Sequence, residues 1–436
     1  MFQGVAKFLR RLILPRPLER GEDVSARPLS VGHARSAEAG LIDVKQLMAD
    51  LTDEELLASA DAYFANMTLA SEQCWKPFSN PADAIHLTRH LGLVLEAAQL
   101  FRGARVLDFG CGTGWLTLAL AQMGCDATGV DISPAAINLA NELTWQPPRP
   151  GHGAVAFQVY HGTRLPLPDA SMDRIVCFDA FHHLRDPGAM LQEFSRVLVS
   201  GGVAAFMEPG PNHSKTAQSQ AEMRNFKVIE NDICLRQITT HALAAGLDEP
   251  RMLVQFQRPL QLGAGEFTQW AEQGVPPTAR KKILGQLAGQ LTDGQCFFIY
   301  KGAPLDDSRQ PNGLAAKLAL KDASRVPHGA ETVIKLELTI VNTGQRSWIA
   351  AAGPGQVNVG VHVLAVDGTL DINFARLQLP PRPVSPGETV VVSGTIALPL
   401  SEPFTLRLDM VAEHVAWFAD LGGTQCVTVS STDIHW

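Results

Sequence analysis

The chain has 436 residues, 46% of them hydrophobic and 18% charged, with a formal net charge of -8. That length calls for two or three units with cores of their own, and no apolar run approaches the roughly 20 residues of a membrane-spanning helix. An acidic balance also disfavours partners gripped through a phosphate backbone, so no nucleic-acid partner is expected.

The seven cysteines are odd in number and scattered, without Cys-x-x-Cys pairs or nearby histidines at ligand spacing. We therefore expect a reducing, cytoplasmic setting and no metal site. At the start of the chain Phe2, Val5, Phe8, Leu9, Leu12 and Ile13 fall on one side of a helix, with Gln3, Lys7, Arg10 and Arg11 on the other. Residues 1–14 so read as a basic amphipathic helix, stopped by Pro15 and Pro17, for which contact with an anionic membrane surface and packing on a neighbouring domain are both open. It lacks the uninterrupted apolar stretch and cleavage site of a signal peptide.

Residues 1–40 form this N-terminal segment, and 41–100 have helical spacing, with Thr52 and Glu55 placed as a capping box. Strand-like runs then alternate with helical patterns: Arg105–Phe109, Ala127–Val130, Ala154–Tyr160, Arg174–Phe178 and Val203–Met207. This alternation predicts a parallel sheet with crossover helices. Met252–Gln257 and Cys296–Tyr300, separated by a helical insertion with Trp270 and Leu284, are expected to pair as an antiparallel edge. The first globular unit thus spans 41–302, as a helical cover (41–100) and a Rossmann-like core (101–302). Residues 303–325 carry Pro304, Asp306, Asp307, Pro311, Asn312 and Gly313 without periodicity and read as a linker. Alternating runs at Thr332–Val341, Gln356–Ala365, Val390–Ala397 and Phe404–Ala412, punctuated by turn residues, predict an all-β immunoglobulin-like sandwich over 326–436.

The chemistry concentrates where Val106-Leu107-Asp108-Phe109 runs into Gly110-Cys111-Gly112-Thr113-Gly114 and a helical pattern resumes at Trp115. A strand, a glycine loop and a helix start let the backbone turn sharply and present free amides to a bulky ligand. Asp131 ends the next strand, where a carboxylate can accept both hydroxyls of an unphosphorylated ribose. The third glycine of a dinucleotide GxGxxG motif would fall on Trp115, which excludes that pattern.

The spacing D-x-G-x-G-x-G from Asp108 to Gly114, with Asp131, resembles the cofactor signature of class I S-adenosylmethionine-dependent methyltransferases. Leu165-Pro166-Leu167-Pro168-Asp169-Ala170-Ser171-Met172-Asp173 and Arg196-Val197-Leu198-Val199-Ser200-Gly201-Gly202 are similar to two further stretches of that family. The resemblance covers roughly residues 100 to 210. It implies S-adenosylmethionine as cofactor, with Asp108, Gly110, Cys111, Gly112, Gly114, Asp131, Ile132, His161, Gly162 and Asp179 as candidate contacts. His161 stands where the family usually has an aspartate facing the adenine amino group.

Methyl transfer chiefly needs alignment, but a hydroxyl nucleophile gains from a base. His182 and His183 follow the fourth strand at the carboxyl edge of the sheet and are the catalytic candidates, with packing as the competing role. A second polar cluster after the fifth strand offers His213 and Glu230 as candidate acceptor contacts, while Asn231 or Asp232 reads as a helix cap. Trp75, Lys76 and Phe78 are placed to form a lid, or simply core.

The last unit is similar to β-sandwich modules of bacterial surface-polysaccharide enzymes and O-antigen exporters, through Asn342-Thr343-Gly344-Gln345-Arg346-Ser347-Trp348, Pro386-Gly387-Glu388 and Trp417-Phe418-Ala419-Asp420-Leu421-Gly422. That likeness implies a glycan or lipid-linked glycan acceptor, with Trp348, Trp417 and Phe418 stacking on sugars or sitting in the core, and partner enzymes of polysaccharide assembly. The competing readings are a small-molecule or quinone-type methyltransferase and a non-catalytic glycan-binding scaffold.

Overall fold

The computed structural model describes residues 40–144, 151–162, 164–254, 260–291, 294–329, 331–398 and 403–436. The amphipathic segment 1–14 lies outside the described residues. Among the described residues, no helix is long and apolar enough to cross a membrane.

Among the described residues, three α-helices precede the sheet: α1 (Val44–Asp50), α2 (Asp53–Ala65) and α3 (Pro81–Ala98). The capping box at the start of α2 forms as expected, the Thr52 amide donating to Glu55 at 2.8 Å and the Glu55 amide to the Thr52 hydroxyl at 3.2 Å. Asn80 caps α3, whose first position is Pro81, and the left-handed Gln99 ends it. β1 (Arg105–Phe109), α4 (Trp115–Gln122), β2 (Asp126–Asp131), α5 (Pro134–Leu143), β3 (Val155–Val159), β4 (Met172–Phe178), α6 (Pro187–Val197) and β5 (Leu198–Pro209) then alternate. Two helices, α7 (Ala217–Phe226) and α8 (Leu235–Ala244), lead to β6 (Arg251–Leu253). The insertion α9 (Ala264–Gln273) and α10 (Pro277–Gln290) precedes β7 (Gly294–Tyr300).

Among the described residues these strands make one seven-stranded sheet in the order β3-β2-β1-β4-β5-β7-β6. β1 to β5 pair parallel, while β7 is antiparallel to β5 and β6 to β7, so the expected antiparallel edge is present. The central strands are covered on both faces, which is why they read as nearly unbroken apolar runs. Leu107, Phe109, Ile175, Cys177 and Phe206 pack toward α6 and α8, whereas Val106, Val176, Val203 and Ala205 pack toward α3 and α4. The order reverses between β1 and β4, which makes their carboxyl ends the expected ligand crevice.

The two downstream stretches of family resemblance meet in space. Arg196 donates to the carbonyls of Leu165 and Leu167 and to Asp169, and Asp173 receives a two-pronged bond from Arg105 at 3.0 Å on each arm. Both stretches therefore hold the sheet together rather than touch the cavity described below.

From Ala316 onward the chain is antiparallel β: β8 (Ala316–His328), β9 (Glu331–Asn342), β10 (Val357–Ala365), β11 (Leu370–Gln378), β12 (Thr389–Ala397), β13 (Phe404–Ala412), β14 (Ala416–Trp417) and β15 (Val427–Ser430). One sheet runs β12-β9-β8 and the other β11-β10-β13-β14, with β15 also on β13. They face each other over a shared core that includes Leu336, Leu338, Val359, Val361, Leu406 and Leu408. β8 begins inside the segment read as linker and runs past residue 325. Its register shifts between Leu320 and Asp322, so the alternation changes phase halfway along and hides the strand. β11 was also not anticipated, because it is an edge strand whose Leu370 and Ile372 stay exposed.

Candidate active site

The glycine loop leaves β1 with positive φ at Gly110, Gly112 and Gly114. Two of these glycines are also sterically required: a Cβ on Gly110 would collide with Ala180, and one on Gly114 would lie 2.6 Å from the Phe157 ring. Gly112 is different, since its nearest neighbour would be Phe64 at 3.6 Å. The loop is held by the amides of Gly110 and Cys111 donating to Val130 O at 2.9 and 3.0 Å, and by Gly112 N donating to Asp131 Oδ2 at 2.9 Å. Asp131 Oδ1 takes the Ser133 amide at 2.9 Å. Burial raises the Asp131 carboxyl above its ordinary range, against the amides of Ser133, Gly112 and Ile132 that favour its charged form.

Asp108 lies beneath the loop, 2% exposed, accepting the Thr117 hydroxyl at 2.6 Å. Burial pushes it up to about 7 despite that bond, with Asp131 adding to the shift. Asp108 and Gly114 thus shape the loop from behind, whereas Gly110, Cys111, Gly112, Asp131, Ile132, Gly162 and Asp179 wall a cavity of about 630 Å³. His161 is exposed, bridges to Arg164 and is not among the lining residues. Its expected place against adenine is therefore not reproduced, since the chain turns at Gly162 and leaves the imidazole outside.

Helix α2 roofs the cavity with Leu56, Leu57, Ala60, Tyr63 and Phe64, none of which the sequence singles out. The roof is tied down by Asp61, which accepts the Ser133 hydroxyl at 2.7 Å and the Ala135 amide at 2.9 Å, and by Gln73 O, which accepts the Thr113 hydroxyl at 2.9 Å. Of the expected lid residues only Lys76 reaches the wall; Trp75 and Phe78 are 57% and 73% exposed.

The far end of the cavity is polar. His182 and His183 follow β4, His213 follows β5, and Glu230 lies between α7 and α8; all four line the space. Glu208 at the end of β5 organises this end. Its carboxylate accepts the amides of Ala180 (3.1 Å), Phe181 (2.9 Å) and His182 (3.2 Å), and His182 Nδ1 at 2.8 Å. Burial alone would lower His182, but the hydrogen bond and charge of Glu208, with Asp179 and Glu230, carry it up to about 9. His183 goes the other way: burial within the cavity lowers it, and the neighbouring His182 lowers it further. Its Nδ1 lies 2.6 Å from Ile229 O, which can only accept, so Nδ1 carries the proton and Nε2 is left as the acceptor. Of the two histidine candidates, His183 is therefore the one suited to take a proton.

Glu230 is 2% exposed and accepts from His213 Nε2 at 2.6 Å. Burial would raise it, yet the His213 bond and the charges of His183 and His182 hold it down to about 2. Asn231 and Asp232 cap no helix; Asn231 bonds His182 O and Leu184 O, and Asp232 takes the Ser214 amide. The sequence pointed to His182, His183, His213 and Glu230 separately. What it could not supply is Glu208 as their organiser: this residue heads the polar cluster after the fifth strand, but nothing in the sequence ties it to His182.

The aromatic candidates of the sandwich divide. Trp348 and Phe418 are 1% and 0% exposed and meet edge to face at 5.7 Å in its core, so neither can stack on a sugar. Trp417 is half-buried, beside the His362 ring and under the Arg376 guanidinium.

A family model described as a methyltransferase domain matches residues 107–206. A ubiquinone biosynthesis O-methyltransferase of Coxiella burnetii is 28% identical over 205 residues, covering 47% of this chain and 76% of that protein. Among solved structures, a putative methyltransferase complexed with the Trm112 methyltransferase activator of Haloferax volcanii is 19% identical, with a TM-score of 0.39 over 58% of this chain and 100% of the other. The phosphoethanolamine N-methyltransferase 2 of Haemonchus contortus in complex with S-adenosyl-L-methionine is 16% identical, with a TM-score of 0.36 over 61% of each chain.

Proposed function

Because the chain is a class I S-adenosylmethionine-dependent methyltransferase, we propose that it methylates a hydroxyl oxygen of a small acceptor with an apolar body. The observation that carries this reading is the two-ended cavity: the glycine loop and Asp131 at one end, the histidines and Glu230 at the other, and Leu56, Leu57, Tyr63, Phe64 and Phe178 between them. An apolar wall with a few convergent polar groups suits a compact ligand.

S-adenosylmethionine supplies a methyl group already activated on its sulfonium. Gly110, Cys111, Gly112, Asp131, Ile132, Gly162 and Asp179 are the residues we assign to hold it, with Asp131 accepting from the ribose hydroxyls. Gly112, where a Cβ would meet only the Phe64 ring at 3.6 Å, fits the close approach of a bulky group. His183 takes the proton of the acceptor hydroxyl at Nε2. His182, fixed by Glu208, positions the acceptor together with His213 and Glu230. The α2 roof keeps water from the reacting atoms.

The name of the Coxiella relative favours a quinone-type phenol over a glycan, and the burial of Trp348 and Phe418 leaves Trp417 alone of the three aromatic residues offered for stacking on sugars. Incubation with labelled adenosylmethionine, offering small phenols and quinone precursors beside glycan extracts, tests the choice. Label is expected in the phenols; label confined to glycan would overturn the proposal.

A further inference from the structure

Three loops at the polar end of the cavity bring together side chains that are 31 and 17 residues apart in sequence. One atom each from His182, His213 and Glu230 lies within 4.8 Å of the others. Glu230 Oε2 is 2.6 Å from His213 Nε2 and 3.8 Å from His182 Nε2. Bonds of about 2.0 to 2.2 Å to a tetrahedral cation would hold such atoms roughly 3.3 Å apart, a value that these two distances straddle.

Two independent features go beyond proximity. Behind the cluster, Glu208 accepts from His182 Nδ1 at 2.8 Å and is itself fixed by three backbone amides, so the imidazole has its Nε2 left for the cluster. A carboxylate behind a histidine in this way is the usual support of a metal-bound imidazole. Within the cluster, Glu230 Oε1 is buried and has no hydrogen-bond partner, the nearby His183 Nδ1 being engaged by Ile229 O. A buried carboxylate oxygen left without a partner is costly and calls for a positive charge or donor beside it.

We propose that His182 Nε2, His213 Nε2 and Glu230 together bind one divalent first-row transition metal ion at the acceptor end of the cavity. Two imidazoles and one carboxylate suit zinc, cobalt or iron rather than magnesium or calcium, which prefer oxygen donors throughout. Three protein ligands leave coordination positions over, and because all three residues line the cavity these positions open onto it. There the ion takes an oxygen of the acceptor, a role that rests on the hydroxyl-acceptor reading above; binding of the ion itself does not. The sequence offers these three residues singly and leads to an expectation of no metal site, since ligands drawn from three separate loops leave no spacing motif.

The test is cobalt titration of the full chain after chelator treatment, followed by visible absorption and calorimetry without adenosylmethionine or acceptor. We expect one ion per chain, and at least about a tenfold loss of affinity in both His213→Ala and Glu230→Gln. Adenosylmethionine affinity, measured on the same variants, is expected to be kept and reports that they are folded. Absence of cobalt binding in the wild-type chain, or binding unchanged in both folded variants, would overturn the site. Should a variant fail to bind adenosylmethionine, the cobalt spectrum of the wild type at one equivalent still decides, because nitrogen and oxygen donors lack the intense thiolate charge-transfer bands that binding to cysteine would give. Neither readout involves an acceptor, so failure here is distinct from failure of the phenol assay.

Discussion

Asp131 and Asp108 show how two carboxylates 23 residues apart serve one loop differently. Asp131 faces the cavity and its two oxygens already receive backbone amides, yet a carboxylate has further lone pairs to offer a ribose. Asp131→Ala is expected to weaken adenosylmethionine binding by tenfold or more, since a hydrogen bond to a charged group contributes about 1.5 to 3 kcal/mol. Calorimetry reads this directly, and wild-type affinity in the variant would refute the ribose assignment. Asp108 does not reach the cavity and ionises near 7 because it is buried, against an ordinary value of 3.8. Between those values the folded chain holds a proton that the unfolded chain has released, so this group's contribution to stability is full below about 4 and falls as pH rises toward 7. The slope approaches about 1.4 kcal/mol per pH unit at its steepest. Asn cannot titrate, so stability measured by urea unfolding at pH 5 and pH 7.5 is expected to fall further in the wild type than in Asp108→Asn. Equal pH dependence in the two proteins would show that Asp108 keeps its charge when buried.

At the scale of elements, what the sequence discloses depends on whether a signal is contiguous. The loop 110–114 is legible because strand, glycines and helix start follow one another, and Asp131 because it closes the next strand. The polar end is only partly legible: His182 and His183 are adjacent and sit after a strand, but their relation to Glu208, His213 and Glu230 exists only once β4, β5 and the loop before α8 are assembled. β8 is hidden because its bulge changes the phase of the alternation, and the place of Trp348 stays open between core and sugar stacking because an aromatic residue in a strand-rich segment does not declare which way it faces. The roof is the element whose role is least visible in sequence and most exposed to test. Helix α2 is held over α5 by Asp61, through Ser133 Oγ and Ala135 N. Asp61→Ala removes both bonds but little buried apolar surface, so α2 should open more often while the sheet keeps its stability. Hydrogen exchange is expected to quicken in residues 53–65 and not in β4, and the apparent KM for the acceptor to rise. Protection unchanged in α2 would mean that apolar contacts alone hold the roof.

For the whole molecule, we propose that the methyltransferase unit ends and the sandwich begins within residues 303–315, and that the Phe101 ring is the centre of the contact that couples them. Arg174 is buried at the start of β4, with its side chain donating to Gln99 O at 3.1 Å and lying 5.0 Å from the centre of the Phe101 ring. Arg309, leading toward the sandwich and paired with Asp307, lies 5.5 Å from the same ring. Burial lowers Arg174 to about 10, with Asp173 opposing the shift and Arg309 adding to it, so the Phe101 ring close to both cations offsets part of the burden of burying one. Pro354 of the sandwich packs on Gly103 nearby, where a Cβ would lie 2.7 Å from the Pro354 ring. Phe101→Ala removes the shared ring and leaves a cavity, which should cost about 3 to 5 kcal/mol. Because the ring is the common element of the contact, the loss should separate the two units rather than lower both equally. The wild type is expected to unfold in one transition, and Phe101→Ala in two, with fluorescence of the buried Trp348 following the later one and adenosylmethionine binding lost in the earlier. A single transition in the variant, shifted down as a whole, would show that the units are joined by more than this contact and that the division at 303–315 has no energetic meaning.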